Sequence, residues 1–453
     1  MEVKNKKVVI LGAARSGMAA VSLLHQLGAL VFVSDIAPRY DKIKELEILE
    51  GLRIPYEFGE HSDKIYNADF IVLSPGIPLT SKVVQGILAR EIPIYSEVEV
   101  ASWFCKSKMI AITGSNGKTT TTTLLGEMLK LELPKVIVAG NIGAPLSGQV
   151  LNSLSSSWAS VEISSFQLET IDSFHPNVAV ILNLAPNHLD WYVNYEDYIK
   201  AKLRILKNLD EDDHIVYNAD DLLLGERLKE CKAKKLRFSL QNAQVDAYTK
   251  NNYLYINGHK VIDIDRVLLK GPHNYMNALA AGLAARCADI TYDSMAKVLT
   301  TFKSIEHRLE YVTTVAGIHF INDSKATTIE ALNVALRSFA TPIILIAGGK
   351  DKGSDFSKVN DLIKNNVRAV VLIGMAKDKI AKCWQNLNPI HFADSLSEAI
   401  ENAFHLAKKG DTVLLSPACA SFDMFTDFED RGKKYKEYVH KLKIEYENKY
   451  VQK

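Results

Sequence analysis

The residues best suited to chemistry run from Ile110 through Ala111-Ile112-Thr113-Gly114-Ser115-Asn116-Gly117-Lys118-Thr119 to Thr120: an apolar stretch, a Gly-rich turn and a helix-compatible start. Glycines let backbone N–H groups converge on phosphate oxygens, and a helix N-terminus adds its positive end. Lys118 is placed to reach β- and γ-phosphates, and Thr119 to ligate Mg²⁺. Two residues separate Gly114 from Gly117, fewer than in the common phosphate loop. The pattern predicts ATP, held by Gly114, Asn116, Gly117, Lys118, Thr119 and Thr120.

Three further groups could complete a site. Glu162, in Val161-Glu162-Ile163-Ser164-Ser165, sits in a β-branched run where an unpaired charge is costly to bury. It either faces water at a sheet edge or is neutralised by Mg²⁺. His188 lies in Asn183-Leu184-Ala185-Pro186-Asn187-His188-Leu189-Asp190, as a structural histidine or as a ligand. Tyr195, Ile199, Lys202 and Leu206 fall at i, i+4, i+7 and i+11, one face of a helix, with Lys202 inside the apolar stripe. Its amine either snorkels to water or is desolvated. In the second case its pKa falls, and the neutral amine can act as a base or react with CO₂ to give a carbamate, an anionic metal ligand. Near the N-terminus, Gly12-Ala13-Ala14-Arg15-Ser16-Gly17 with Asp35 has the layout of a dinucleotide fingerprint, but Ala14 replaces the middle glycine. A diphosphate at the helix start and a ligand-free tight turn both remain open, and Asp35 either accepts from a sugar or base or caps a turn.

Positioning these groups requires parallel sheets. Short β-branched runs alternate with helical patterns at Lys7 to Ala13, Leu30 to Asp35, Ala68 to Pro75 and Ile92 to Glu97. A second unit opens at Lys108 to Thr113, with a helix to Lys130 and strands at Ser160 to Ile163 and Val178 to Asn183. Residues 208–270 read as an irregular insertion carrying a hairpin, Tyr253 to Ile256 and Lys260 to Ile264, around Asn257-Gly258. Alternation resumes at Ile318 to Asp323, Ile343 to Gly348, Val367 to Gly374, Ile390 to Ala393 and Thr412 to Pro417. The expectation is an α/β protein of three domains: N-terminal Rossmann-like over 1–96, central P-loop ATP-binding over 97–304, and C-terminal Rossmann-like with a parallel sheet over 305–453. Hinges are expected near 97–107 and 300–308.

Composition narrows the partners. With 54 Lys and Arg against 53 Asp and Glu, the chain of 453 residues has net charge +1, and its cations are scattered. No nucleic-acid surface is expected; the ligands are small molecules. Five separated cysteines without a C-x-x-C pair point to a reducing compartment. No apolar run approaches the roughly 18 residues of a membrane span. A cytoplasmic protein with no membrane partner is expected.

Taken in order, these motifs resemble the Mur ligase family, ATP-dependent amide-forming enzymes of peptidoglycan precursor synthesis. The resemblance rests on G-S-N-G-K-T at Gly114, G-N-I-G at Gly140, V-E-I-S-S-F at Val161, N-H-L-D at Asn187, H-N-Y-M-N-A at His273, His307-Arg308, N-D-S-K-A-T at Asn322 and G-G-K-D-K at Gly348. The glycine turn at Gly12, the ending S-P-A-C-A-S-F-D at Ser416 and the absence of a D-N-P-R motif favour the branch that joins D-glutamate to UDP-N-acetylmuramoyl-L-alanine. The resemblance implies that Lys118, Glu162, His188 and Lys202 serve catalysis, with Thr119 and Glu162 on one Mg²⁺ and His188 and a carbamylated Lys202 on a second. It implies that Asn274, Asn277, Arg308, Asp323 and Lys325 frame ATP, and that Thr327, Lys352 (or Lys350), Ser421 and Phe428 meet D-glutamate. Arg15, Ser16, Asp35, Ile36, Gly76 and Asn141 would hold the UDP substrate, and the enzyme would act as a monomer. Two competing readings are a folylpolyglutamate synthetase-like ligase, opposed by the separate α/β domain before the phosphate loop, and a nicotinamide-dependent oxidoreductase, opposed by Ala14 and the phosphate loop itself.

Overall fold

Runs with every residue buried, such as Phe70–Leu73 and Ile343–Gly348, mark strands covered on both faces, the signature of parallel sheets sandwiched by helices. The computed structural model describes residues 2–141, 143–185, 191–302, 306–339, 341–351 and 353–450, with backbone alone for 330, 337, 449 and 450. It contains three sheets. The first joins β1 (Lys7–Leu11), β2 (Leu30–Asp35), β3 (Tyr56–Phe58), β4 (Phe70–Leu73) and β5 (Ile94–Ser96) in the order β3-β2-β1-β4-β5, all parallel. The second comprises β6 (Lys108–Thr113), β7 (Ile137–Gly140), β8 (Trp158–Glu162), β9 (Val178–Ile181), β10 (His214–Asn218), β11 (Lys234–Ser239), β12 (Ala247–Lys250), β13 (Tyr253–Ile256) and β14 (His259–Asp263). Their order is β14-β13-β12-β11-β10-β9-β6-β8-β7. The third comprises β15 (Glu310–Val315), β16 (Ile318–Asn322), β17 (Ile343–Gly348), β18 (Val367–Ile373), β19 (Ile390–Phe392) and β20 (Thr412–Leu415), ordered β15-β16-β20-β17-β18-β19. The α/β class with three such layers is the expected one. The third sheet is not purely parallel, because β15 runs antiparallel to β16 at its edge.

Residues 208–270 are not an insertion. β10 pairs in parallel with both β9 and β11, so the stretch extends the central sheet, and the hairpin β13–β14 finishes it. β11 carries no strand signal in the sequence, because it reads Lys-Lys-Leu-Arg-Phe-Ser with Lys234, Lys235 and Arg237 exposed. The Asn257-Gly258 turn has positive φ at both residues, 51° and 77°, as a two-residue hairpin of that type requires.

The expected hinge at 97–107 opens instead with a buried helix, Glu97–Ser102. Val100 joins the core under the first sheet, while Val98 and Ala101 pack with Leu23 and Leu146 in the core of the second. Glu99 accepts from three successive backbone amides, Asp172 N (2.9 Å), Ser173 N (2.9 Å) and Phe174 N (2.8 Å), and from Ser173 Oγ (2.6 Å) and Trp103 Nε1 (2.8 Å). By compactness the chain divides into Met1–Phe302 and Lys303–Lys453. The other expected hinge, 300–308, spans that division, with 303–305 outside the described residues. Among the described residues, no helix is long and apolar enough to cross a membrane.

Candidate active site

In the first unit the phosphate loop joins the carboxyl end of β6 to the helix Lys118–Lys130. Gly114 and Gly117 have φ of 150° and 83°, and a Cβ on Gly117 would stand 2.3 Å from Asn277 Oδ1. Only glycine fits that approach. The loop is tied to the end of β9: Asn116 N donates to Asn183 Oδ1 (2.9 Å), Asn183 Nδ2 to Asn116 O (3.1 Å), and Ser115 Oγ to Ala185 O (2.9 Å). Lys118 Nζ curls over the loop onto Gly114 O (2.9 Å) and Ser115 O (3.1 Å). Thr120 lies in the first turn of the helix, and Asn277 accepts from Thr121 Oγ1 (3.3 Å) and lies 3.5 Å from Asn274.

Glu162 ends β8 beside this loop and is 2% exposed, which settles the open reading against a water-facing edge. Its Oε2 accepts from Thr119 Oγ1 (2.7 Å) and its Oε1 from Asn141 Nδ2 (2.8 Å). Asn141, expected near the sugar of the UDP substrate, thus stands beside Glu162 at the phosphate loop. Lys202, on the helix Tyr195–Leu203, is 1% exposed and donates to Gly114 O (2.9 Å), with its amine 4.6 Å from the Tyr198 ring centre. It does not snorkel. Burial, and then the nearby charge of Lys118, push its pKa well below the ordinary lysine value, against the pull of Glu162. The groups converging on Gly114 O are thus two lysines of different character, one partly exposed and one desolvated. His188 lies outside the described residues.

In the first sheet the order places the topological switch between β1 and β4, and Gly12 and Ser74 meet there, Ser74 Oγ donating to Gly12 O (2.8 Å). Gly17, where a Cβ would fall 2.0 Å from Gly12 O, brings the following helix onto the turn. Arg15 and Ser16 open that helix, Arg15 exposed, and Ile36 and Gly76 are exposed on the same carboxyl edge. Asp35 caps the turn: Oδ2 accepts from Ala13 N (2.6 Å), Oδ1 from Ala37 N (2.8 Å), and Lys42 pairs with it at 3.5 Å.

In the second unit Asp323, Lys325 and Thr327 follow β16 and Ser421 follows β20, while Arg308 precedes β15, Lys350 follows β17 and Phe428 opens the last helix. Asp323 is 4% exposed, accepts from Leu309 N (3.1 Å) and Ser416 Oγ (2.8 Å), and is pushed up to about 7 by burial. Arg308 acts on it electrostatically. Lys325 lies over the Phe428 ring at 5.9 Å, Thr327 follows in the same loop, and Ser421 is buried beyond β20. Lys352 lies outside the described residues, while Lys350 bridges to Ala420. Arg431 adds a tie that the motifs do not contain. It is 1% exposed and donates to Ser324 Oγ (2.9 Å), Ser324 O (2.9 Å) and Cys419 O (3.2 Å), tying together the loops after β16 and β20. Its place on a charged helix far along the chain gave no signal. Ser115 and Asn183 also tie the loop in place, and each lies inside a motif of the sequence analysis.

Three family models match the chain in tandem: the Mur ligase MurD-like N-terminal domain at residues 6–96, the Mur ligase middle domain at 112–285, and the Mur ligase glutamate ligase domain at 307–419. A UDP-N-acetylmuramoylalanine–D-glutamate ligase of Chloroherpeton thalassium is 42% identical over 97% of this chain and 99% of its own length. One from Thermoanaerobacter pseudethanolicus is 42% identical over 98% and 100%. Among solved structures, a UDP-N-acetylmuramate–alanine ligase of Thermotoga maritima aligns with a TM-score of 0.58 at 20% identity, over 97% of this chain and 100% of that one. A MurF ligase of the same organism in complex with ADP aligns at 0.57 and 16% identity, over 91% and 95%. These two likenesses are of fold.

Proposed function

The chain belongs to the Mur ligase family, and from that premise we propose that it is an ATP-dependent amide ligase adding D-glutamate to UDP-N-acetylmuramoyl-L-alanine in cytoplasmic peptidoglycan precursor synthesis. The observation that carries the reading is the cluster at the phosphate loop, where Thr119, Glu162 and Asn141 form one hydrogen-bonded group beside the desolvated Lys202. The relatives' shared name supports D-glutamate as the amine.

A carboxylate resists attack by an amine, so it must first be activated. The alanyl carboxylate of the UDP substrate attacks the γ-phosphorus of ATP, ADP leaves, and an acyl phosphate forms. The neutral amine of D-glutamate then attacks the acyl carbon, and the tetrahedral intermediate loses an N–H proton to water and expels inorganic phosphate. Such transfer is mainly positioning and charge neutralisation. Lys118, now spent on two loop carbonyls, turns to the β/γ-phosphates, and the loop amides hold the remaining oxygens. A carboxylate 2% exposed whose partners are a hydroxyl and an amide fits a hard cation, so Thr119 and Glu162 would hold Mg²⁺. That ion supplies charge neutralisation for the transferring phosphoryl group. His188 and a carbamylated Lys202 would hold a second. The neutral Lys202 amine adds to CO₂: the N–C bond forms, one C=O π pair moves to oxygen, and the N–H proton leaves to water. Asn274, Asn277, Arg308, Asp323 and Lys325 serve ATP, and Thr327, Lys352, Ser421 and Phe428 serve D-glutamate. The division of labour follows residues 1–96 for the nucleotide substrate, 97–304 for ATP and 305–453 for the amino acid and for closing over ATP, in a monomer.

The test is Mg²⁺-dependent phosphate release from ATP with UDP-N-acetylmuramoyl-L-alanine, comparing D-glutamate, L-glutamate, L-lysine and meso-diaminopimelate. Release with D-glutamate alone is expected. Release with another amine would move the specificity, and ATP turnover that ignores the amine would sink the ligase reading.

A further inference from the structure

Beside the capped turn of the first sheet lies a hydrogen-bonded relay of three side chains. Ser34 Oγ donates to Glu57 Oε1 (2.7 Å) and lies 2.7 Å from His61 Nδ1, while Ser62 donates to Glu57 through both its N–H (2.9 Å) and its hydroxyl. Ser34 is the penultimate residue of β2 and Glu57 the middle one of β3, so the relay sits at the carboxyl edge where open α/β sheets place their ligands.

The protons in this relay can be assigned. Against the burial that would raise it, hydrogen bonds from Ser62 and Ser34 hold the Glu57 carboxyl below its ordinary range, so it is an ionised acceptor. The single hydroxyl proton of Ser34 therefore goes to Glu57, and the Ser34 oxygen accepts from His61 Nδ1–H. Burial also lowers the pKa of His61, against the pull of Glu57 and Asp35, which keeps the ring neutral at pH 7. A neutral ring protonated on Nδ1 has a bare lone pair on Nε2. Among the described residues nothing hydrogen-bonds that Nε2. The neighbouring acceptor, Asp35, has each oxygen already engaged by a backbone amide and carries the Lys42 ion pair.

We propose that His61 Nε2 is the acceptor that recognises a hydrogen-bond donor of the substrate's uridine, the imide N–H of the base or the ribose 2′-hydroxyl. The proposal rests on the reading of the first sheet as the nucleotide-substrate subsite. It makes His61 a specificity-determining residue, with Ser34 and Glu57 positioning its ring and fixing its tautomer.

The experiment is calorimetric titration of the full chain with UDP, 3-methyluridine 5′-diphosphate and 2′-deoxyuridine 5′-diphosphate, for the unaltered protein, His61→Leu and His61→Gln. His61→Leu should bind UDP about ten-fold more weakly, and His61→Gln, whose side-chain oxygen reaches a similar place, within about three-fold of the unaltered protein. One of the two analogues should bind the unaltered protein about ten-fold more weakly than UDP, yet bind His61→Leu as UDP does. A merely structural histidine would not make affinity depend on one removed donor. Equal UDP affinity in His61→Leu, or unaltered binding of both analogues by the unaltered chain, overturns the proposal and leaves the subsite standing. The analogue arm needs no variant to fold. Failure of UDP to bind the unaltered chain overturns the subsite and the proposal together.

Discussion

Lys202 is 1% exposed and hydrogen-bonded to a carbonyl oxygen, so its amine is held where the neutral form is favoured. Lys202→Ala should lower kcat by about 100-fold or more, and formate, a small carboxylate able to stand in for the proposed carbamate, should restore part of it. Restoration by methylamine instead would show that the amine itself acts. Gly117→Ala tests the loop: with φ at 83° and a Cβ 2.3 Å from Asn277 Oδ1, the variant must distort the phosphate cradle. The KM for ATP should rise about ten-fold or more while UDP affinity stays unchanged, since the UDP subsite proposed above lies on another sheet; a parallel loss of both would point to general unfolding. Residue types and spacing made this cluster legible in the sequence, because Gly114, Gly117, Lys118 and Thr119 are contiguous and Glu162 interrupts an apolar run. Whether Lys202 snorkelled was not legible, since the answer depends on Tyr198 and Gly114 O above it. The Ser34–Glu57–His61 relay was invisible for the same reason: its members are ordinary residues brought together by strand register.

The short helix Glu97–Ser102 shows what an element adds. Glu97 is 1% exposed, accepts from Ser147 N through Oε1, and has an Oε2 with no partner among the described residues. Burial raises its pKa from 4.5 to about 7. In this buried state the protonated form is favoured, so its contribution to stability is fully present below pH 4.5 and is lost as pH rises through about 7. The loss is on the order of 3 kcal/mol. Glu97→Gln, which keeps the acceptor and carries no charge, should therefore be more stable than the parent at pH 8 and similar at pH 4.5 in urea unfolding. A constant difference across that range would refute the linkage. Glu99, two residues on, has every acceptor position engaged by a nest of backbone amides, a hydroxyl and an indole, and Glu99→Ala should cost about 3 kcal/mol. Long apolar strands such as β17 were legible. β3, β7 and β15 were not, being short or edge elements whose pairing comes from neighbours, and the charged β11 hid the continuity of the central sheet.

At the scale of the molecule, the order of motifs reveals three α/β layers, but it does not tell which of them share a core. The boundary expected at residue 96 cuts through one. Val100 fills the core under the first sheet, whereas Val98 and Ala101, two residues before it and one after it in the same helix, pack with Leu23 and Leu146 in the core of the second. Removing the helix with the central sheet would expose Leu23 and leave the first core short of Val100, and a lone five-stranded sheet has little burial to spare. Lys303–Lys453 differs, because both faces of its sheet are covered by its own helices, with Leu332, Ile363 and Trp384 on one side and Ala399, Tyr435 and Val439 on the other. A fragment of residues 303–453 should therefore unfold cooperatively on heating and give dispersed amide resonances, and a fragment of residues 1–302 should do likewise. A fragment of residues 1–96 should not. If 1–96 alone folded with the thermal midpoint it has within 1–302, the shared core would be energetically idle and the helix Glu97–Ser102 would be a passive connector.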